Sequence, residues 1–184
     1  MLCENNTGNI QNNLCNKPYA ISVCRIEPEN NIHLVLDAFS SQTEIPLIAI
    51  GNWKNSDYGL ELVKKHEQFE NIYLLDPIYD FERINFLRSN AFLYMHGHSA
   101  GGTNPSLVEA MFFGLPVFAF DCVYNRYTTE NQCVYWSSAD QLKKYILNIQ
   151  EFDLQNIGVS MKNIAARKYR WKIITEKYQS LFFK

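Results

Sequence analysis

At 184 residues, 47% hydrophobic and 14% aromatic, the chain carries enough apolar mass for one domain with a full core and too little for a second. Its formal charge of -2 argues against a global cationic field of the kind that gathers nucleic acid or an anionic bilayer, although a local basic pocket stays open. Five cysteines, odd in number and without a Cys-x-x-Cys pair, suggest neither a disulfide framework nor a zinc knuckle, and a reducing cytoplasm suits them best.

The first 16 residues are rich in asparagine and poor in aliphatics, a composition that cannot bury enough surface to offset chain entropy. They read as a flexible arm or a former interdomain linker, with 17–184 as the folded unit. LCENNTGNIQNN at 2–13 is polar where a signal peptide needs an apolar centre, and no run approaches the ~18 apolar residues of a membrane span. The sequence therefore reads as soluble and cytoplasmic.

From Tyr19 onward, short apolar runs alternate with amphipathic stretches. YAISVC (19–24), PLIAIG (46–51), NIYLLD (71–76), AFLYMH (91–96) and PVFAFD (116–121) are apolar nearly throughout, as parallel strands covered on both faces require. Helices are expected between them at 31–42, 57–69, 80–89 and 105–114. A short strand at 133–136 and a helix from Ser138, capped with Gln141 three residues on, extend the series. The pattern is βαβ repeated, which predicts an α/β fold with a Rossmann-like parallel sheet flanked by helices. At the C-terminus, Trp171, Ile174, Tyr178 and Leu181 share one helical face, read first as a core stripe and second as a surface for a missing neighbour.

Open parallel sheets bind ligands at the carboxyl ends of their strands. The loop after the first strand reads RIEPENN and lacks G-x-G-x-x-G, which argues against a nicotinamide or flavin site. The glycines come after the fourth strand, in HGHSAGGTNPSLVEAM (96–111). Asn104 is a favoured N-cap and Pro105 suits the first helical position. With Gly101 and Gly102 leaving the backbone bare, Thr103 and Asn104 complete a turn able to receive a diphosphate at a helix N-terminus; a tight turn that binds nothing is the alternative. Glu109 lies five residues into the helix, roughly 6–8 Å beyond the cap at 1.5 Å per residue, where a carboxylate can accept from two ribose hydroxyls or else simply be solvated. Arg25 sits just after the first strand and could neutralise charge on a leaving diphosphate, or pair with Glu27 or Glu29. His96 and His98 offer two metal ligands without a third, so no metal is expected and His98 is read as a neutral hydrogen-bond donor to the ligand.

CRIEPENN and VEAMFFGLPVFAF resemble the G-R-L-x-x-E-K-N and E-A-M-x-x-G-x-P-V segments of the C-terminal, donor-binding half of bacterial family-4 glycosyltransferases with the GT-B fold. The likeness is clearest over 19–136. It implies a retaining hexosyltransferase that uses a nucleotide-sugar donor, with a UDP-sugar the leading choice, and no cofactor or obligatory metal. By position, Arg25 would touch the diphosphate as the catalytic cation and Glu109 the ribose. Two positions depart from the family pattern: Gly101 replaces the first glutamate of E-x7-E, and Asn30 replaces a lysine of the diphosphate site. The main chain of Ile78, in DPIYD, is the expected contact to the base.

Together with GNW, YG and NRYTTE, these motifs look like a subgroup associated with O-antigen, lipopolysaccharide and capsule assembly. The resemblance implies a missing N-terminal domain that carries a glycan or lipid-linked acceptor, and a full-length enzyme peripheral at the inner membrane face. The chain alone is then expected to bind donor and to be nearly inactive. The other readings are a sugar-nucleotide epimerase or phosphorylase on the same fold, and a non-catalytic nucleotide-binding or assembly module.

Overall fold

Six apolar runs form strands: β1 Ala20–Val23, β2 Leu47–Ile50, β3 Ile72–Leu75, β4 Leu93–His96, β5 Val117–Phe120 and β6 Val134–Trp136. The computed structural model describes residues 17–40 and 44–182, so the arm expected at 1–16 lies outside the described residues. The helices are α1 Ile32–Phe39, α2 Asp57–His66, α3 Phe81–Ser89, α4 Pro105–Phe112, α5 Val123–Thr129, α6 Ala139–Leu147, α7 Leu154–Lys168 and α8 Trp171–Phe182. Every strand pairs parallel to its neighbours, in the order β3-β2-β1-β4-β5-β6. This is the doubly wound, Rossmann-like arrangement expected from the alternation of elements.

Strand alternation sorts side chains to two faces. Ala20, Leu47, Ala49, Leu93 and Met95 pack with α1, α2 and α6, while Ile21, Ile48, Ile50, Tyr94 and Val117 pack with α3, α4 and α7. Both layers are buried, which is why the strands read as continuous apolar runs. Each large side chain so enclosed, Trp53, Trp136 and Phe39 among them, contributes about 1.5–3 kcal/mol.

Local chemistry sets the element ends. Asn104 caps α4 by accepting from the Ser106 amide at 2.9 Å, with Pro105 in the first turn. The helix closes at Gly114, whose φ of 71° suits glycine; Leu115 then donates back to the Ala110 carbonyl at 3.2 Å. Gly158 of α7 lies against that turn so closely that a Cβ on it would stand 2.4 Å from the Gly114 oxygen. At α6, Ser138 accepts from the Gln141 amide at 3.2 Å, and Gln141 reaches back to the Ser137 amide at 2.8 Å.

Two features differ from the sequence expectation. Helices α5 and α7 occupy stretches in which no helix was anticipated. In α7 the buried residues are Gly158, Met161, Ile164 and Ala165, so small side chains do much of the packing and the apolar signal is thin. The terminal stripe is not core: Trp171, Tyr178 and Leu181 are 82%, 61% and 71% exposed, and no residue of α8 is buried. Its main neighbour is α7.

The chain places β1, β2 and β3 outward in turn, then returns through α3 to set β4 on the other side of β1. Connections leave in opposite directions from this pair, which opens a crevice at its carboxyl end. The β1–β4 ladder is short, with Ala20 opposite Leu93 and Ile21 opposite Tyr94, whereas β1 and β2 keep register through Val23 and Ile50.

Candidate functional site

The paired register of the two strands ends at Ile21 and Tyr94, and hydrogen bonds join the loops above them. A short 3-10 turn at Pro28–Asn30 follows β1 and leads into Asn31 at φ 46°, whose amide donates to the Gly97 carbonyl at 2.9 Å. Ser99 donates from both its backbone N–H and its hydroxyl to the Glu29 carbonyl, each at 2.9 Å. Glycine is required at 97 because a Cβ there would sit 2.1 Å from the Asn30 oxygen.

Asn30 is only 5% exposed. Its Nδ2 donates to the Arg25 carbonyl at 2.8 Å, which leaves Oδ1 to face Nδ1 of His98 at 2.7 Å. An amide oxygen can only accept, so His98 carries its proton on Nδ1. Burial lowers the pKa of His98, opposed by the Glu29 carboxylate and the Ala100 backbone and assisted by Arg25. The neutral ring then carries its lone pair on Nε2, close to the glycine turn: a Cβ on Gly101 would stand 3.7 Å from it. Asn30 holds that ring in place, and Nδ2 keeps a second N–H besides the one given to the Arg25 carbonyl.

The turn itself is open. Gly101 has φ 93°, and a Cβ on Gly102 would meet nothing within 4 Å. Thr103 accepts from the Thr128 hydroxyl at 3.3 Å, and Asn104 spends its carboxamide oxygen on the α4 cap. Backbone at 101–103 is thus exposed beside a capped helix start, the arrangement that anions favour. From α5, the buried Asn125 secures the loop by donating to the His98 and Phe120 carbonyls at 2.8 and 2.9 Å.

Arg25 stands exposed on the β1 side of this turn. Among the described residues it makes no ion pair, so the alternative of a bridge to Glu27 or Glu29 is not realised. Glu109 is engaged: Arg88 of α3 donates to its Oε2 at 2.5 Å. Ile78 lies apart on the loop after β3, half-buried against the α3–α4 layer. Behind the turn, His96 is 4% exposed and stacks on Tyr94 with ring centroids 5.9 Å apart. Its Nε2 has no hydrogen-bond partner among the described residues, and burial, helped by the nearby His98, pushes its pKa down to about 3.

The structure therefore gathers Arg25, Asn30, His98 and Gly101–Asn104 at one crevice, with Glu109 further along α4. Sequence reasoning missed Asn125 and Arg88. Each is a lone polar residue on a helix, and only tertiary contact reveals its part.

This chain belongs to the glycosyl transferases group 1 family, whose sequence model matches residues 7–151. No curated protein matches it by sequence. Among solved structures it is similar to Anabaena HepE, crystallised with UDP and glucose, at TM-score 0.78 and 18% identity over 98% of this chain and 53% of that one. Sucrose-phosphate synthase from Thermosynechococcus elongatus gives TM-score 0.77 and 18% identity over 96% of this chain and 48% of the other. The C-terminal domain of a group 1 family protein from Francisella tularensis, LpcC, is matched over 92% of this chain and 95% of its own, at TM-score 0.69 and 17% identity. The chain thus spans about half of the larger two and nearly the whole of an isolated C-terminal domain. No helix among the described residues is long and apolar enough to cross a membrane.

Proposed function

We propose that this chain is the donor-binding half of a retaining family-4 glycosyltransferase that moves a sugar from a UDP-sugar to a growing bacterial surface glycan of the O-antigen or capsule kind. One observation carries the reading: Arg25, exposed and without an ion pair among the described residues, acts electrostatically on His98, whose ring stands beside the bare Gly101–Thr103 turn at a capped helix start. A diphosphate suits this setting, with backbone N–H groups and the α4 dipole receiving one phosphate and Arg25 the charge that grows on the leaving group. Neutral His98 accepts at Nε2 from a hydroxyl of the transferred sugar, a task open to it because Gly101 supplies no carboxylate. Glu109 accepts from the ribose, and the main chain at Ile78 meets the base. No metal or other cofactor is called for.

That HepE was crystallised with UDP supports the choice of nucleotide. Transfer needs donor and acceptor held in register, a contribution of up to about 7–11 kcal/mol. The chain alone is therefore expected to bind donor weakly and to turn over hardly at all, with the acceptor carried by a second domain. Calorimetry with UDP, GDP and dTDP on the parent, Arg25→Ala and Glu109→Ala tests the reading. Arg25→Ala weakens all three diphosphates alike, and Glu109→Ala removes the preference for ribose over deoxyribose. If the parent binds none of them, the glycine turn is structural only. Release of free sugar or an epimerised donor without acceptor would instead favour an epimerase or phosphorylase.

A further inference from the structure

Arg88 is the one buried arginine among the described residues. It occupies the inward face of α3 beside Ile84 and Leu87, where an aliphatic residue would serve packing better, since a buried ion pair often stabilises no more than apolar side chains of similar volume. Its Nη2 donates to Oε2 of Glu109, and its Nε is enclosed with no partner among the described residues. The carboxylate at the other end of the pair is half-exposed on α4. A glutamate so placed would sample several rotamers; here one oxygen is pinned from below, and Oε1 has no partner among the described residues.

We propose that Arg88 is a positioning residue for ribose recognition: by holding Oε2 of Glu109 it presents Oε1 in one direction to the nucleotide's sugar hydroxyls. The inference rests on reading Glu109 as the ribose acceptor. A site held within about 0.5 Å by a second layer of packed residues binds more tightly than one left to its own rotamers, so freeing the carboxylate raises the ordering cost of each hydroxyl contact.

The test is calorimetry of the 184-residue chain with UDP and with 2′-deoxy-UDP, on the parent, Glu109→Gln, Arg88→Met, Arg88→Lys and the double variant Arg88→Met/Glu109→Gln, with thermal midpoints recorded for each. The parent is expected to prefer UDP by about tenfold, the scale of a hydrogen bond to a charged group. Glu109→Gln and Arg88→Met each reduce the preference below about twofold, the double variant reduces it no further than either single one, and Arg88→Lys restores part of it. A parent preference that Glu109→Gln leaves intact removes the ribose role of Glu109, and the proposal falls with it. A preference that Glu109→Gln erases and Arg88→Met leaves intact overturns the positioning role alone. Should Arg88→Met fail to fold, Arg88→Lys decides: a preference cut by half or more supports the proposal, and an unchanged one overturns it.

Discussion

The carboxamide of Asn30 ties the loop after the first strand to the loop after the fourth, donating to the Arg25 carbonyl at 2.8 Å and accepting from Nδ1 of His98 at 2.7 Å. It fixes which nitrogen of His98 faces the glycine turn. Replacing it with alanine leaves a half-buried imidazole N–H and a carbonyl unpaired, a loss of about 1–3 kcal/mol that urea denaturation measures. The same substitution is expected to populate the Nε2–H form of His98 in long-range nitrogen–proton spectra. A ring that keeps its tautomer in Asn30→Ala contradicts the assignment.

Gly97→Ala drives a methyl group into the Asn30 oxygen, since the added Cβ would lie at 2.1 Å. Backbone cannot yield there as a flexible side chain could, so the loops must separate, at a cost of about 1–3 kcal/mol. Thermal unfolding checks the loss, and UDP affinity is expected to fall in parallel because the crevice walls move. Gly102→Ala is the contrast, since its Cβ meets nothing within 4 Å, and it should leave thermal stability nearly unchanged.

His96 predicts how stability depends on pH. Burial pushes its pKa down to about 3 from an ordinary 6.5, so between those values the unfolded chain takes up a proton that the folded chain refuses. Stability contributed by the neutral ring is complete above pH 6.5 and declines below it, approaching a slope of about 1.4 kcal/mol per pH unit until about pH 3. His96→Phe is expected to flatten that part of the curve, measured by urea titrations at pH 7, 6 and 5. Equal slopes in parent and variant would assign the acid loss to other groups.

The exposed α8 stripe gives a prediction of opposite character. Trp171→Ser and Leu181→Ser should change the stability of the chain by no more than about 0.5 kcal/mol, as surface positions do. They should also lower any tendency of the chain to self-associate, since an uncovered aromatic face invites contact. Sedimentation velocity at increasing concentration is the measurement. A large drop in thermal midpoint would mean that the stripe packs inward after all.

The strands and the first four expected helices were legible because a doubly covered sheet writes itself as apolar runs, and Asn104-Pro105 and Ser138…Gln141 spell out caps whose geometry is local. The glycine turn was legible for the same reason. Helix α7 was not, because its contact at Gly158 depends on closeness to Gly114, which periodicity does not record. The hydrogen bond that places the His98 proton was also out of reach, because its partner lies 68 positions away. Nothing in the sequence marks Arg88, whose pairing with Glu109 exists only where α3 lies against α4.

The brief ladder between β1 and β4 divides the molecule into a leading half, built on β1 to β3, and a trailing half, built on β4 to β6. Along that seam the sheet has its fewest rungs at the center of the molecule, and it is the line along which the domain should part first under mechanical load. A nucleotide seated across the upper end would then act as a staple, and fragments cut between β3 and α3 would rejoin more readily in its presence.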